Sequence, residues 1–183
     1  MKKLISVLLI LSLLLAVPAF AEEEGTTVSA VEMNWTQEMI DAFVADGFDG
    51  NMATVTLDDG LAFQILIPDG FAQRELTEEE KLEGINMAFA NEETGACFRI
   101  MDSTIESADD VSHVAQALLI LNPDTAITFA VVNGTTALIS GMPEEDSINA
   151  TFDLGNHRFV QFDFAPLEGN NKLVQYFIAA IQF

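Results

Sequence analysis

Thr125-Ala-Ile-Thr-Phe-Ala-Val-Val-Asn-Gly-Thr-Thr-Ala-Leu-Ile-Ser140 is the stretch whose reading decides the fold. Two β-rich runs flank Asn133-Gly134. Asn-Gly in that setting predicts a two-residue hairpin turn, because a type I′ turn needs positive φ at both central residues. Such a loop sets Val132 opposite Thr135, Ala130 opposite Ala137, Phe129 opposite Leu138, Thr128 opposite Ile139 and Ile127 opposite Ser140. Both faces are mostly small or apolar, so the hairpin belongs inside a sheet with cover on at least part of each side.

The next pair of strands, Ser147 to Leu154 and Arg158 to Ala165, alternates more cleanly. Ile148, Ala150, Phe152 and Leu154 share one face, and Asn149, Thr151 and Asp153 the other. Bringing the apolar sets together pairs Phe152 with Val160, Ala150 with Phe162 and Ile148 with Phe164. That register requires Gly155-Asn156-His157 to be a three-residue loop, since a two-residue turn would send the apolar sets to opposite faces. Beyond Pro166 the period lengthens. Leu173, Val174, Phe177, Ile178 and Ile181 predict a helix running to the carboxyl terminus, capped by Asn170 or Asn171.

Upstream, Thr36 predicts the cap of a short helix through Ala45 with Trp35, Met39, Ile40 and Phe43 inward. Met52–Leu57 and Leu61–Pro68 form a hairpin around Asp58-Asp59-Gly60, and Ile85–Asn91 with Ala96–Met101 form another across Glu92 to Gly95. Thr77-Glu-Glu-Glu80 is a capping box for one or two helical turns. Ser107-Ala-Asp-Asp110 opens a helix with Ser107 as N-cap, a stripe of Val111, Val114, Ala115, Leu118 and Leu119, and a stop at Asn122-Pro123.

At the amino end, Lys2 and Lys3 precede an apolar run from Leu4 to Val17, and Ala19-Phe20-Ala21 is a small-x-small cleavage site before Glu22-Glu23-Glu24. This predicts a signal peptide over residues 1–21, removed after Ala21. The run is shorter than the roughly 20 apolar residues of a membrane span and is broken by Pro18. No Cys follows it for lipid attachment. The expected product is secreted or otherwise extracytoplasmic and has no membrane span. It carries a loose lead-in over 22–33 and a single α+β domain over 34–183.

The whole chain of 183 residues holds 7 basic and 29 acidic residues, a net charge of −22. Losing Lys2 and Lys3 leaves five basic residues and a charge of −24. Such a charge repels phosphate backbones and anionic lipid, which makes nucleic acid an unsuitable partner. Half of the residues are apolar, which argues against disorder. Cys97 is the only cysteine, so no disulfide forms within the chain, and its strand setting reads as a buried small hydrophobe.

The chemistry-bearing residues form no catalytic motif. His113 points away from the centre of its helical stripe, and His157 sits in a turn. No His-x-x-x-His, Cys-x-x-Cys, Gly-x-Ser-x-Gly or Walker loop is present. Carboxylates pair at Asp58-Asp59, Glu92-Glu93, Asp109-Asp110 and Glu144-Glu145-Asp146, all in turns or caps expected to be wet. A hydrolase needs one such acid held in a dry pocket. Asp46-Gly-Phe-Asp-Gly-Asn51 has a passing likeness to a calcium loop but lacks the closing glutamate. The acidic Glu144 to Asp146 run offers weak ligands for a divalent cation.

Phe63-Gln-Ile-Leu-Ile-Pro68-Asp-Gly70-Phe71, the mid-chain helix, the Asn133-Gly134 hairpin, the Phe159 to Phe164 strand and the closing helix resemble, in motif and order, the PsbP-like fold family. That family includes extrinsic photosystem II subunits, Ran-binding relatives and secreted bacterial proteins. The resemblance implies an antiparallel sheet flanked by helices in an α/β/α sandwich, and a binding or accessory role without catalysis. A photosynthetic role is not implied, because no plastid-type transit peptide is present. The expectation is thus an exported bacterial non-enzymatic binding protein with no cofactor, taking a protein or small-molecule partner. The alternative is a cell-surface carboxylate- or metal-dependent hydrolase.

Overall fold

Asn133 and Gly134 adopt φ of 47° and 88°, the left-handed pair that the type I′ turn requires. Around them the computed structural model describes residues 30–141, 147–165 and 171–183. Strands β7 (Ala126–Val132) and β8 (Thr135–Gly141) pair in the expected register, Val132 with Thr135 through Ile127 with Ser140. Strands β9 (Ile148–Asp153) and β10 (Arg158–Ala165) pair Phe152 with Val160, Ala150 with Phe162 and Ile148 with Phe164. The Arg158 N–H donates to the Gly155 carbonyl across the three-residue loop. Burial of the aromatic set fixes this register, since Phe152, Phe159, Phe162 and Phe164 are all shielded from water.

These four strands are the centre of an eight-stranded sheet. Its remaining members are β1 (Val31–Met33), β4 (Phe71–Arg74), β5 (Ile85–Asn91) and β6 (Cys97–Thr104), in the order β1-β7-β8-β9-β10-β6-β5-β4. Strands β2 (Gly50–Thr56) and β3 (Ala62–Pro68) form a separate antiparallel pair. The helices described are α1 (Gln37–Ala45), α2 (Glu78–Leu82), α3 (Val111–Leu121) and α4 (Asn171–Ala180).

The expected antiparallel sheet flanked by helices, an α/β/α sandwich, is therefore corrected. The large sheet is mixed, because β1 runs parallel to β7. Its cover is not a helical layer on either side. On one face the β2–β3 hairpin shares the covering with α4, Phe63 packing on Phe162 with ring centres 5.8 Å apart and Phe177 on Phe98 at 4.8 Å. On the other face α3 packs over β8 and β9, through a small core of Val111, Val114, Ala115, Leu138 and, from β10, Phe159, with Ile127 and Phe129 of β7 at its edge. Beyond α3 that face carries Asn149, Gln161, Asp163 and Arg99, with Gln161 donating to Asn149 at 3.0 Å and Arg99 paired to Asp163. An antiparallel sheet can leave such a polar face to water, so no further helix is needed there.

Local corrections have local causes. The lead-in expected over 22–33 ends in β1, whose backbone is held by β7 and by the Asn133 N–H donating to the Met33 carbonyl at 2.9 Å. The N-cap of α3 is Asp110 rather than Ser107, its Oδ1 accepting from the Ser112 and His113 N–H groups at 2.7 and 3.3 Å. Ala117 is buried in that helix, whereas Leu119 is exposed. Helix α4 stops at Ala180, and Gln182 exchanges backbone hydrogen bonds with Gln64 at 2.8 and 3.0 Å, adding a bridge to β3. The Thr36 cap and the Thr77–Glu80 capping box form as expected. The signal peptide over 1–21, the Glu144 to Asp146 loop and the Asn170 or Asn171 cap lie outside the described residues or side chains.

Candidate functional site

A cleft of about 440 Å³ opens where four connections meet: the exit from α1, the β3–β4 turn, the β5–β6 turn and the first turn of α4. Its floor is Phe98, Phe164 and Phe177, each almost wholly shielded from water. Phe98 and Phe177 have ring centres 4.8 Å apart and Phe164 and Phe177 5.4 Å. Phe71 closes one wall, 5.9 Å from both Phe98 and Phe177, and half-buried Phe48 and Leu173 form others. The rings come from β6, β10, α4, β4 and the α1–β2 link, so five separated segments build one apolar surface.

The mouth is polar. Asp49 and Asp69 line it and are exposed. Their backbones are joined by the Asp69 N–H donating to the Asp49 carbonyl at 2.9 Å. Asn91 orders the facing turn, its Oδ1 accepting from the Glu93 and Thr94 N–H groups at 3.0 and 3.1 Å. Gly70 has φ +86°, a left-handed conformation that favours glycine, and a Cβ there would lie 2.6 Å from Asn91 Nδ2, so a larger residue would also push the Asn91 amide aside. A volume of this size matches ordinary small-molecule sites. The hollow on the opposite face, lined by Arg99, Met101, Gln161 and Asp163, is about 80 Å³ and has room for a few waters at most.

Cys97 lies half-buried in the cleft wall rather than in the core. Burial pushes its thiol up, against the pull of Arg99 and Arg74, which disfavours the nucleophilic thiolate. The other candidates do not converge on the cleft. His113 is partly exposed on α3 with Nδ1 3.5 Å from Asp110, and His157 Nδ1 lies 3.0 Å from the Ala108 carbonyl and 3.7 Å from Asp109. Asp58, Asp59, Glu92, Glu93, Asp109 and Asp110 are all exposed. Asp59 accepts from Arg158 at 2.5 Å, a structural partner. Asp46, from the calcium-like segment, accepts from Lys172 at 2.7 Å and from the Tyr176 hydroxyl at 2.5 Å. The Lys172 hydrogen bond, with that of Tyr176, holds its carboxyl below the usual range. Among the described residues no three His, Cys, Asp or Glu side chains gather as a metal set, and no helix is long and apolar enough to cross a membrane.

The fold defines an α+β protein. No protein-family model matches the chain, and no curated protein does. It is similar to a protein of Bacteroides thetaiotaomicron VPI-5482 seen by crystallography, at 16% identity and a TM-score of 0.44. The match covers 66% of this chain and 44% of that one, so this chain spans less than half the length of its relative.

Proposed function

We propose that this is an exported bacterial binding or accessory protein that does no chemistry and takes an apolar small molecule in the phenylalanine-lined cleft. The observation that carries the proposal is the cleft itself, about 440 Å³ of space over a floor of fixed aromatic rings. Apolar pockets with a few polar groups at the rim are the usual form of a ligand site. The hydrolase alternative has less support, since both carboxylates lining the cleft are exposed at its mouth, whereas a catalytic acid pair needs a dry pocket. Export is supported by the Lys2 to Ala21 pattern.

Titration with neutral phenylnaphthylamine tests the cleft. Saturable fluorescence enhancement with one site per chain is expected, lost after Cys97 is alkylated by a bulky maleimide. No saturable signal, or one indifferent to alkylation, refutes the site. For export, the mass of the protein recovered outside the cytoplasm of its host is expected to begin at Glu22; a chain retaining Met1 to Ala21 inside the cell contradicts it.

A further inference from the structure

We propose that the cleft selects cationic amphiphiles, an apolar or aryl body carrying a protonated amine, over neutral and anionic molecules of the same shape. The inference rests on the reading of the cleft as a ligand site. Three observations give it its sign. The charged side chains among the described lining residues are Asp49 and Asp69, both acidic and both at the mouth. Among the described residues no lysine or arginine lines the cleft to neutralise them or to receive a carboxylate. The basic side chains nearest the cleft are already paired: Lys172 with Asp46 at 2.7 Å, Arg99 with Asp163, and Arg74, close enough to act on the Cys97 thiol, with Glu80 at 2.7 and 2.5 Å.

The geometry separates two tasks. The Phe71, Phe98, Phe164 and Phe177 rings form the dry end, where an apolar body loses its hydration. Asp49 and Asp69 lie where the ligand's polar end must remain, wet but beside two negative charges. A carboxylate or sulfate head placed there meets like charge at short range, and an ammonium head meets opposite charge. The chain's net charge of −22 adds a long-range field of the same sign, raising the local concentration of cations. An aromatic wall is also compatible with an ammonium at its edge, through the negative ring faces.

Calorimetric titration with phenylbutylamine, phenylbutanol and phenylbutyrate tests this, since the three share one apolar body and differ only in the head. The amine is expected to bind about tenfold tighter than the alcohol, and the anion weakest. In the D49N/D69N double variant the ratio of amine to alcohol affinity is expected to fall toward one. Raising salt from low to about 0.5 M is expected to shrink the wild-type difference. If all three bind alike in the wild type, charge selection is wrong while the ligand site stands. If none binds and phenylnaphthylamine also fails, the ligand site itself is wrong. If the amine preference survives in D49N/D69N although circular dichroism shows a folded protein, the carboxylates are not its source and the inference falls.

Discussion

Asn133 Nδ2 donates to the carbonyl oxygen of Ala179 at 2.7 Å, so the turn of the central hairpin caps the end of the last helix. The same amide donates to the Ile181 carbonyl at 2.7 Å, and its Oδ1 accepts from the Trp35 N–H at 2.9 Å. A helix end leaves carbonyls without partners, and here a turn residue supplies both hydrogens. One side chain thus joins the segment after β1, the β7–β8 turn and the exit of α4. Positive φ alone would be served by glycine; the amide is needed for the three hydrogen bonds.

Asn133→Gly keeps the turn conformation and removes the bonds, so a loss of about 1–3 kcal/mol is expected in chemical denaturation. Asn133→Asp is expected to cost more, because its carboxylate faces two carbonyl oxygens. Gly134→Ala meets nothing within 4 Å and suffers only from its φ of 88°, so it is expected to cost about 1 kcal/mol. Equal stabilities for Asn133→Gly and wild type would remove the capping role.

Arg74 and Glu80 set the acid limit of the β4–α2 region. Arg74 reaches both Glu80 oxygens at 2.7 and 2.5 Å, and the Thr77 N–H adds a third bond at 3.0 Å. Chiefly through Arg74, the Glu80 carboxyl falls from 4.5 to about 2. A lowered folded-state pKa favours the ionised form on folding, so this stabilisation is complete above pH 4.5 and is lost as pH falls toward 2. Glu80→Gln is expected to cost about 2 kcal/mol at pH 7 and to flatten the stability profile between pH 4.5 and 2. A profile of unchanged slope in that window speaks against the pairing.

Arg158 ties the two sheets together. Its Nε and Nη2 donate to Asp102 at 3.0 and 2.6 Å, and Nη2 also reaches Asp59 in the β2–β3 turn at 2.5 Å. Asp102 is the less exposed partner. Arg158→Ala is therefore expected to lower the melting temperature more than Asp59→Ala, which only breaks a surface contact. The reverse order would place the weight of the link on the turn.

Phe177 belongs to the core and to the cleft at once. Phe177→Ala is expected to destabilise by about 3–5 kcal/mol and to enlarge the cleft. Phe177→Leu, closer in volume, is expected to stay folded while changing phenylnaphthylamine affinity. A folded Phe177→Leu variant that binds the probe as the wild type does would separate the ring from the site.

Much of the sheet was legible because its signals are local. Asn133-Gly134 sets its own turn, and the Ile148 to Phe164 alternation admits one loop length. What escaped depends on distant partners. Strands β1 and β4 are three and four residues long, too short to show a period, and their partners lie elsewhere in the chain. The helical layers failed to appear because the residues between strands are used by a second hairpin, whose apolar side covers the sheet as a helix would. The cleft was invisible for the same reason, since Phe48, Phe71, Phe98, Phe164 and Phe177 share no spacing. Its one sequence signal is Pro68-Asp69-Gly70-Phe71, a turn that ends a strand and immediately presents an aromatic ring, which is partly buried in the structure.

The most direct measurement is heteronuclear NMR on the isotopically labelled protein during titration with phenylbutylamine. Saturable shifts confined to the amides of Phe48, Asp69, Phe71, Cys97 and Leu173 are expected. Shifts centred on α3, or on the Arg99 and Asp163 face of the sheet, with the cleft amides unmoved, would contradict the central claim.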